Sequence, residues 1–360
     1  LASDISGNLA TYHPDYAMLG GRLEVARLHS ITTPKFTKYV ADAVCSLCHI
    51  HMRHLDGTLS AQFGDIVKKH GEVLNDALVH KRDFDFSYMA IKTLQHSYLV
   101  KSQGKIAERP QYMYMRVSLA VHGRELPRVL EAYNLMSKGY YTHASPTLFN
   151  AGREQQQLSS CFLLDIADFS MNGVYDSLKD TAIISASAGG LGINLDKLPS
   201  QASHSIRPEN VGYMGGTAIV GVAKLLDATS RFATQGGEKR PGAMTLYLPD
   251  WHLELPKFIP LKSSLGQEEM RARNLFYAVF VSDLFMKRVI SDGSWTLFCP
   301  TSVPGLAEAY GIEFKSLYES YERLGMGLAV RARDIWQQML NSQIETGGPF
   351  LLYKDSINRE

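Results

Sequence analysis

Cys161 opens a short apolar run, Cys161-Phe-Leu-Leu, directly after the hydroxyl pair of Leu158-Ser-Ser160. A second hydroxyl-rich stretch lies just upstream, His143-Ala-Ser-Pro-Thr-Leu-Phe-Asn-Ala-Gly152, and carries Ser145. Small hydroxyl residues beside a lone cysteine at the mouth of a strand suit a polar ligand held next to a redox thiol. The plain alternative is a turn followed by an ordinary core cysteine, because unpaired Cys commonly packs as a small hydrophobe. Composition by itself leans to that alternative.

Three further constellations have residue types that do chemistry. Ser185-Ala-Ser-Ala-Gly-Gly-Leu-Gly192 puts Gly189 and Gly190 between a helix and a strand, where a bare backbone can approach a ligand. It is not a Walker loop, since no Gly-Lys-Ser/Thr follows. Gln235-Gly-Gly-Glu-Lys-Arg-Pro-Gly-Ala243 carries Gly236, Gly237, Lys239 and Arg240 on a glycine-rich segment stiffened by Pro241. Its two cations could clamp phosphates or a base edge; a solvated connector is an equal reading. Cys45-Ser-Leu-Cys48-His49, with His51 and His54 nearby, has the look of a haem attachment or half of a zinc site. It sits inside an amphipathic helical pattern with no second Cys-x-x-Cys pair, so core packing is the simpler role and no metal is expected. Gly212-Tyr-Met-Gly-Gly-Thr217, ahead of a helix, stays unassigned.

The elements that must position these groups change texture along the chain. To about residue 140 the pattern is helical, with helices expected near 59–71, 86–98, 110–122 and 125–138, and one opening after Thr33-Pro34. From Thr142 short apolar runs alternate with helices. Strands are expected at Cys161–Leu164, Gly192–Leu195, Ala243–Leu248, Phe276–Val281 and Pro349–Tyr353, with helices near 173–187 and 218–232. Strand–helix–strand alternation predicts crossover units and a mostly parallel sheet. The expected fold class is therefore α/β, with a helical N-terminal domain over 1–140 and an α/β domain over 141–360.

Lys plus Arg number 37 against 36 for Asp plus Glu, so no overall charge draws the chain to nucleic acid or to a membrane surface. No apolar run approaches a membrane span. Four cysteines in 360 residues are too few for a secreted disulfide scaffold, which predicts a reducing, cytoplasmic setting. The first residues resemble no signal peptide and read as mid-helix, so both ends of the sequence are expected to be cuts in a longer protein.

The order and wording of several phrases go further. They are Tyr12-His-Pro-Asp-Tyr-Ala17, Glu108-Arg-Pro-Gln111 with Met115-Arg-Val, the His143–Gly152 stretch, Leu158-Ser-Ser-Cys-Phe-Leu, Ser187-Ala-Gly-Gly, and Gly236-Gly-x-Lys-Arg-Pro-Gly-Ala. Trp251-His-Leu, Arg271-Ala-Arg, Asp283-Leu-Phe-Met-Lys-Arg, Thr346-Gly-x-Pro and Leu352-Tyr-Lys-Asp-Ser follow in the same order. Collinear over the whole chain, they resemble the large subunit of the class I ribonucleotide reductases, most closely its eukaryotic-type branch.

The resemblance implies a helical domain followed by the first half of a ten-stranded α/β barrel. It implies reduction of ribonucleoside diphosphates to 2′-deoxyribonucleoside diphosphates by thiyl-radical chemistry, for DNA precursor synthesis. Cys161 then matches one reducing thiol of a redox-active disulfide, with its partner and the radical cysteine beyond residue 360. Ser145, Ser160, Gly189, Gly190 and Arg240 match substrate-binding groups, while Gln235, Gly236, Gly237 and Lys239 match the loop that reports effector identity. The implied partners are a second copy of the chain, a small subunit that carries the radical cofactor, and thioredoxin or glutaredoxin as reductant. The implied ligands are a nucleoside diphosphate substrate and dNTP or ATP effectors with Mg²⁺. The chain departs from the pattern at the effector site: Phe169 stands where the family has an aspartate, leaving Asp168 as a weak substitute, and Ala186 and Thr234 replace a lysine and an aspartate. The stretch His204–Gly216 does not align. These losses also fit a catalytically idle paralogue serving as scaffold or dimerisation partner, whereas Cys161, Ser145, Ser160 and Arg240 fit the enzyme.

Overall fold

The computed structural model describes residues 1–45, 59–102, 104–154, 156–166, 170–200, 218–233 and 242–359. Its contacts fall into two compact units, 1–160 and 161–360.

The first unit is helical: α1 (Ala2–Asn8), α2 (Pro14–Ile31), α3 (Phe36–Cys45), α4 (Ala61–Ala77), α5 (Tyr88–Thr93), α6 (Pro110–His122), α7 (Leu126–Ser137) and α8 (Ser145–Asn150). A two-strand ribbon, β1 (Lys101–Ser102) and β2 (Lys105–Ile106), interrupts them. The helix starts follow local chemistry. His13 accepts the Asp15 amide ahead of Pro14, Ser60 caps α4 through the Phe63 amide, and α6 has Pro110 in its first turn. Helix α3 begins at Phe36, two residues past the Pro34 expected to open it. Phe63, Val67 and Leu74 line one face of α4 and pack with Phe36, Tyr39, Tyr112, Met115 and Tyr133 in the main core of this unit.

That core encloses an ion pair with no exposure on either side. Arg116 donates to both carboxylate oxygens of Glu108, at 2.7 and 3.0 Å. Glu108 also accepts from the Tyr39 hydroxyl at 2.8 Å and the Val100 amide at 3.0 Å. The remaining guanidinium hydrogens reach the carbonyls of Ala151 at 2.7 Å and Leu148 at 3.0 Å, at the end of α8. Burial works against the charge on Arg116, and the adjacent carboxylate more than restores it, so its pKa lies above the ordinary value. The neighbours in Glu108-Arg-Pro-Gln111 are equally committed. Arg109 binds the Thr32 hydroxyl and the carbonyls of His29 and Thr32, closing the end of α2. Gln111 donates to buried Asp83 and accepts from Tyr133 and Ser137.

The second unit is α/β. Its strands are β3 (Cys161–Asp165), β4 (Gly190–Asn194), β5 (Met244–Pro249), β6 (Phe276–Val281), β7 (Ser294–Leu297), β8 (Leu328–Arg331) and β9 (Phe350–Tyr353). Its helices are α9 (Met171–Ala186), α10 (Ala218–Phe232), α11 (Leu255–Phe258), α12 (Asp283–Ile290), α13 (Gly311–Arg323), α14 (Ala332–Thr346) and α15 (Lys354–Ile357). Five strands form one wholly parallel sheet in the order β3-β4-β5-β6-β9, as the strand–helix alternation predicts. An antiparallel ribbon of β7 and β8, not expected from the sequence, stands apart from it. Leu191, Ile193, Met244, Leu246, Leu248, Tyr277, Val279 and Val281 are buried in the core beneath the sheet.

At the ends of the central strands Asp250 is buried. It accepts from the amide and hydroxyl of Ser282 at 2.7 and 2.8 Å, and its carbonyl receives the Trp295 indole N–H at 2.9 Å. Burial pushes its carboxyl up to about 7, against the pull of those donors. Two residues on, His252 accepts the Glu254 amide on Nδ1 and faces the Leu198 carbonyl through Nε2, and burial lowers it to about 4.

Two stability predictions follow from these groups. Replacing Arg116 by Met strands the Glu108 carboxylate in the core, and denaturant titration should show a loss of about 3–5 kcal/mol. Asp250 keeps a proton in the folded state that the unfolded chain releases near 3.8, so its contribution is present at low pH and lost as pH rises through about 7. In Asp250→Asn that slope is absent, and stability relative to the parent should climb between about pH 4 and about pH 7.

Candidate active site

Strand β3 lies at the edge of the sheet, and its burial alternates. Phe162 and Leu164 pack on the core, while Cys161, Leu163 and Asp165 point the other way and are exposed. The thiol is therefore not a core residue, which removes the plain alternative for Cys161. In the parallel register Cys161 stands beside Gly190 and Leu163 beside Gly192. A Cβ on Gly192 would fall 2.7 Å from Leu163 Cδ2 and 2.8 Å from the Tyr247 ring, so glycine there lets both side chains lie across the strand. The same face continues through Tyr247 and Phe280, with ring centroids 5.8 Å apart, to the stacked pair Phe276 and Phe350 at 6.1 Å. Leu163 is 82% exposed, and Phe276 and Phe350 are each about half exposed. The result is an apolar floor with a thiol and a carboxylate along one margin.

Gly189 has a packing reason for its identity. Helix α9 ends through Ala188, held at φ 71°, and the Gly189 amide returns to the Ile184 carbonyl at 3.0 Å. A Cβ on Gly189 would meet Ile184 Cγ2 at 2.7 Å and the Phe162 ring at 2.8 Å. Close approach is needed, and it is approach to Phe162 beside Cys161. Ser185, buried at the end of α9, donates to the Ala233 carbonyl at 2.5 Å. A Cβ on Gly242 would lie 3.0 Å from the same hydroxyl, so both flanks of the segment 234–241 meet at Ser185.

Ser145 and Ser160 belong to the first unit. Ser145 is the first residue of α8, and its Oγ lies 2.9 Å from the Tyr98 hydroxyl. The chain from α8 to Ser160 is tied back by Thr147 to the Leu158 carbonyl at 2.9 Å and by Asn150 to the Gln157 carbonyl at 2.8 Å. Asp168, Phe169, His204–Gly216, Thr234, Gln235, Gly236, Gly237, Lys239 and Arg240 lie outside the described residues, as do Cys48, His49, His51 and His54. Sequence reasoning missed the roles of Glu108, Arg116 and Tyr98. The phrases Glu108-Arg-Pro-Gln111 and Met115-Arg-Val carried the signal for the first two. Among the described residues no helix is long and apolar enough to cross a membrane.

A helical unit is followed along the chain by an α/β unit whose five-stranded parallel sheet carries an exposed thiol on its edge strand. Residues 159–360 match the family model described as ribonucleotide reductase, barrel domain, and residues 84–156 that of the ribonucleotide reductase all-alpha domain. The chain belongs to the ribonucleotide reductase family. Over its full length it is 43% identical to the ribonucleoside-diphosphate reductase large chain 2 of Saccharomyces cerevisiae, of which it covers 41%. It is 44% identical to the large chain of Schizosaccharomyces pombe and 43% to the large subunit of Danio rerio, covering 44% and 45% of them. The chain thus spans less than half the length of these curated relatives.

Adding the Cβ in Gly189→Ala forces Phe162 or Ile184 aside. Thermal or denaturant unfolding should register a loss of about 1–3 kcal/mol, with protection of the β3 amides falling in hydrogen exchange.

Proposed function

We propose that this chain is part of the large subunit of a class I ribonucleoside-diphosphate reductase, comprising its helical domain and the first half of its ten-stranded barrel. The reaction replaces the ribose 2′-hydroxyl of a nucleoside diphosphate with hydrogen. Two thiols become a disulfide, and the hydroxyl leaves as water, so atoms and electrons balance. A thiyl radical, formed with the help of a small partner subunit, borrows the 3′ hydrogen and returns it. The observation that carries this reading is the exposed Cys161 beside Gly190 on the open face of the sheet. A reducing thiol must meet both a bound sugar and, later, an external dithiol such as thioredoxin or glutaredoxin, which a core cysteine does not. In this reading Cys161 is one of the two reducing thiols. Ser145, Ser160, Gly189, Gly190 and Arg240 hold the substrate, and Gln235, Gly236, Gly237 and Lys239 form the effector loop.

The uncovered apolar face supports the half-barrel assignment: Leu163, Tyr247, Phe280 and Phe350 are the lining that a second half-barrel would enclose. Exposed Met171, Tyr175 and Ile183 on α9 support a homodimer contact along that helix. Loss of the cationic and carboxylate partners at Ala186, Phe169 and Thr234 argues for weak binding of effector phosphates and Mg²⁺.

In the complete protein with its radical subunit, Cys161→Ser should abolish turnover with dithiol reductants while nucleotide binding survives. Retained turnover would refute the assignment of the thiol. Added dTTP should leave GDP reduction unchanged, and a clear stimulation in the same assay would show an intact specificity site.

A further inference from the structure

We propose that Tyr98 is a positioning residue that presents the Ser145 hydroxyl to the phosphate oxygens of a nucleoside diphosphate. The inference rests on the reading of Ser145 as a substrate-binding residue and adds the group that orients it. A serine hydroxyl at a helix start is free to turn among three rotamers unless something fixes it. Ser145 does not cap its own helix: the residue ahead of α8 is Ala144, and no side chain caps that end. Its hydroxyl instead meets the Tyr98 hydroxyl at 2.9 Å.

Tyr98 is itself held on several sides. Its ring lies 4.8 Å from that of Phe149, one helical turn along α8, and packs against two of the apolar clusters of the helical unit. It closes a π-helical turn, Leu94–Tyr98, in which the Leu99 amide reaches back to the Leu94 carbonyl at 2.9 Å. A π-turn is a rare departure from the α-helix that recurs at functional sites, and here it ends on the residue facing Ser145. Arg116 fixes the other end of α8 through the carbonyls of Leu148 and Ala151. Helix, ring and phenol together leave the Ser145 oxygen in one place.

The chemistry is a hydrogen-bond relay without proton transfer. The Tyr98 O–H donates to Ser145 Oγ, and the Ser145 O–H is then directed at a phosphate oxygen. Donation to an oxygen strengthens the bond that oxygen's own hydrogen makes, an effect that grows away from bulk water. Removing the phenol oxygen costs the serine both its orientation and that polarisation.

The test uses the complete large subunit and CDP as the probe, with Kd from calorimetry and KM and kcat from turnover with the radical subunit. Tyr98→Phe keeps the ring on Phe149, so its melting temperature should match the parent. Its Kd and KM for CDP should rise about three- to tenfold, the size of one hydrogen bond, with kcat nearly unchanged. In the Ser145→Ala background the same change should add nothing, because the relay has already lost its middle member. An unchanged Kd in Tyr98→Phe, or the same loss with and without the serine hydroxyl, overturns the proposal while Ser145 stands as a substrate group. A normal Kd in Ser145→Ala overturns both.

Discussion

The fully buried pair of Glu108 and Arg116 is the interaction on which the helical unit turns. Neither charge has water to fall back on, so each must be answered within the protein, and each is. Glu108 takes four hydrogen bonds, from Tyr39 on α3, twice from Arg116 on α6, and from the chain at Val100; Arg116 gives its spare hydrogens to the end of α8. A buried ion pair adds little net stability compared with apolar packing, but breaking it is expensive. Its value here is geometric. It fixes one end of the six-residue helix that carries Ser145, a helix too short to hold itself by its own hydrogen bonds.

The second unit solves a different problem. Parallel strands are ordinarily covered on both faces, yet this sheet buries Leu191, Ile193, Leu246 and Val279 on one side and leaves Leu163, Phe276 and Phe350 open on the other. Cys161 and Asp165 stand on this face at the edge strand, and Asn194, Thr245 and Tyr247 carry polar atoms on it farther in. The small residues at 189, 190 and 192 belong to the same design. Gly189 accommodates Phe162 and Gly192 accommodates Leu163 and Tyr247, so the glycines that look like a ligand cradle in sequence also shape the surface around the thiol.

Much of this was legible in the residues. The helix at 110–122 follows from Pro110 and the apolar spacing behind it, and its limits match the expectation residue for residue. The strand Phe276–Val281 and the helix Ala218–Phe232 were equally plain, as dense apolar runs between polar breaks. The ribbon of Ser294–Leu297 with Leu328–Arg331 was not, because its pairing spans a whole helix and each strand is four residues long. Tyr98 escaped notice because the pattern over 86–98 predicts one continuous helix, and a π-turn leaves no periodic trace. For the candidate site, the exposure of Cys161 followed from strand alternation only once the strand's edge position was known. The cationic segment around Lys239 and Arg240 lies outside the described residues.

The meeting of Ala233 and Gly242 at Ser185 has an evolutionary consequence. The Ser185 hydroxyl is committed to the Ala233 carbonyl, and a Cβ on Gly242 would stand 3.0 Å from that hydroxyl and 2.6 Å from the Ser230 carbonyl. Neither the serine nor the glycine is then free to drift alone, since a larger residue at 242 collides with groups that Ser185 and α10 hold in place.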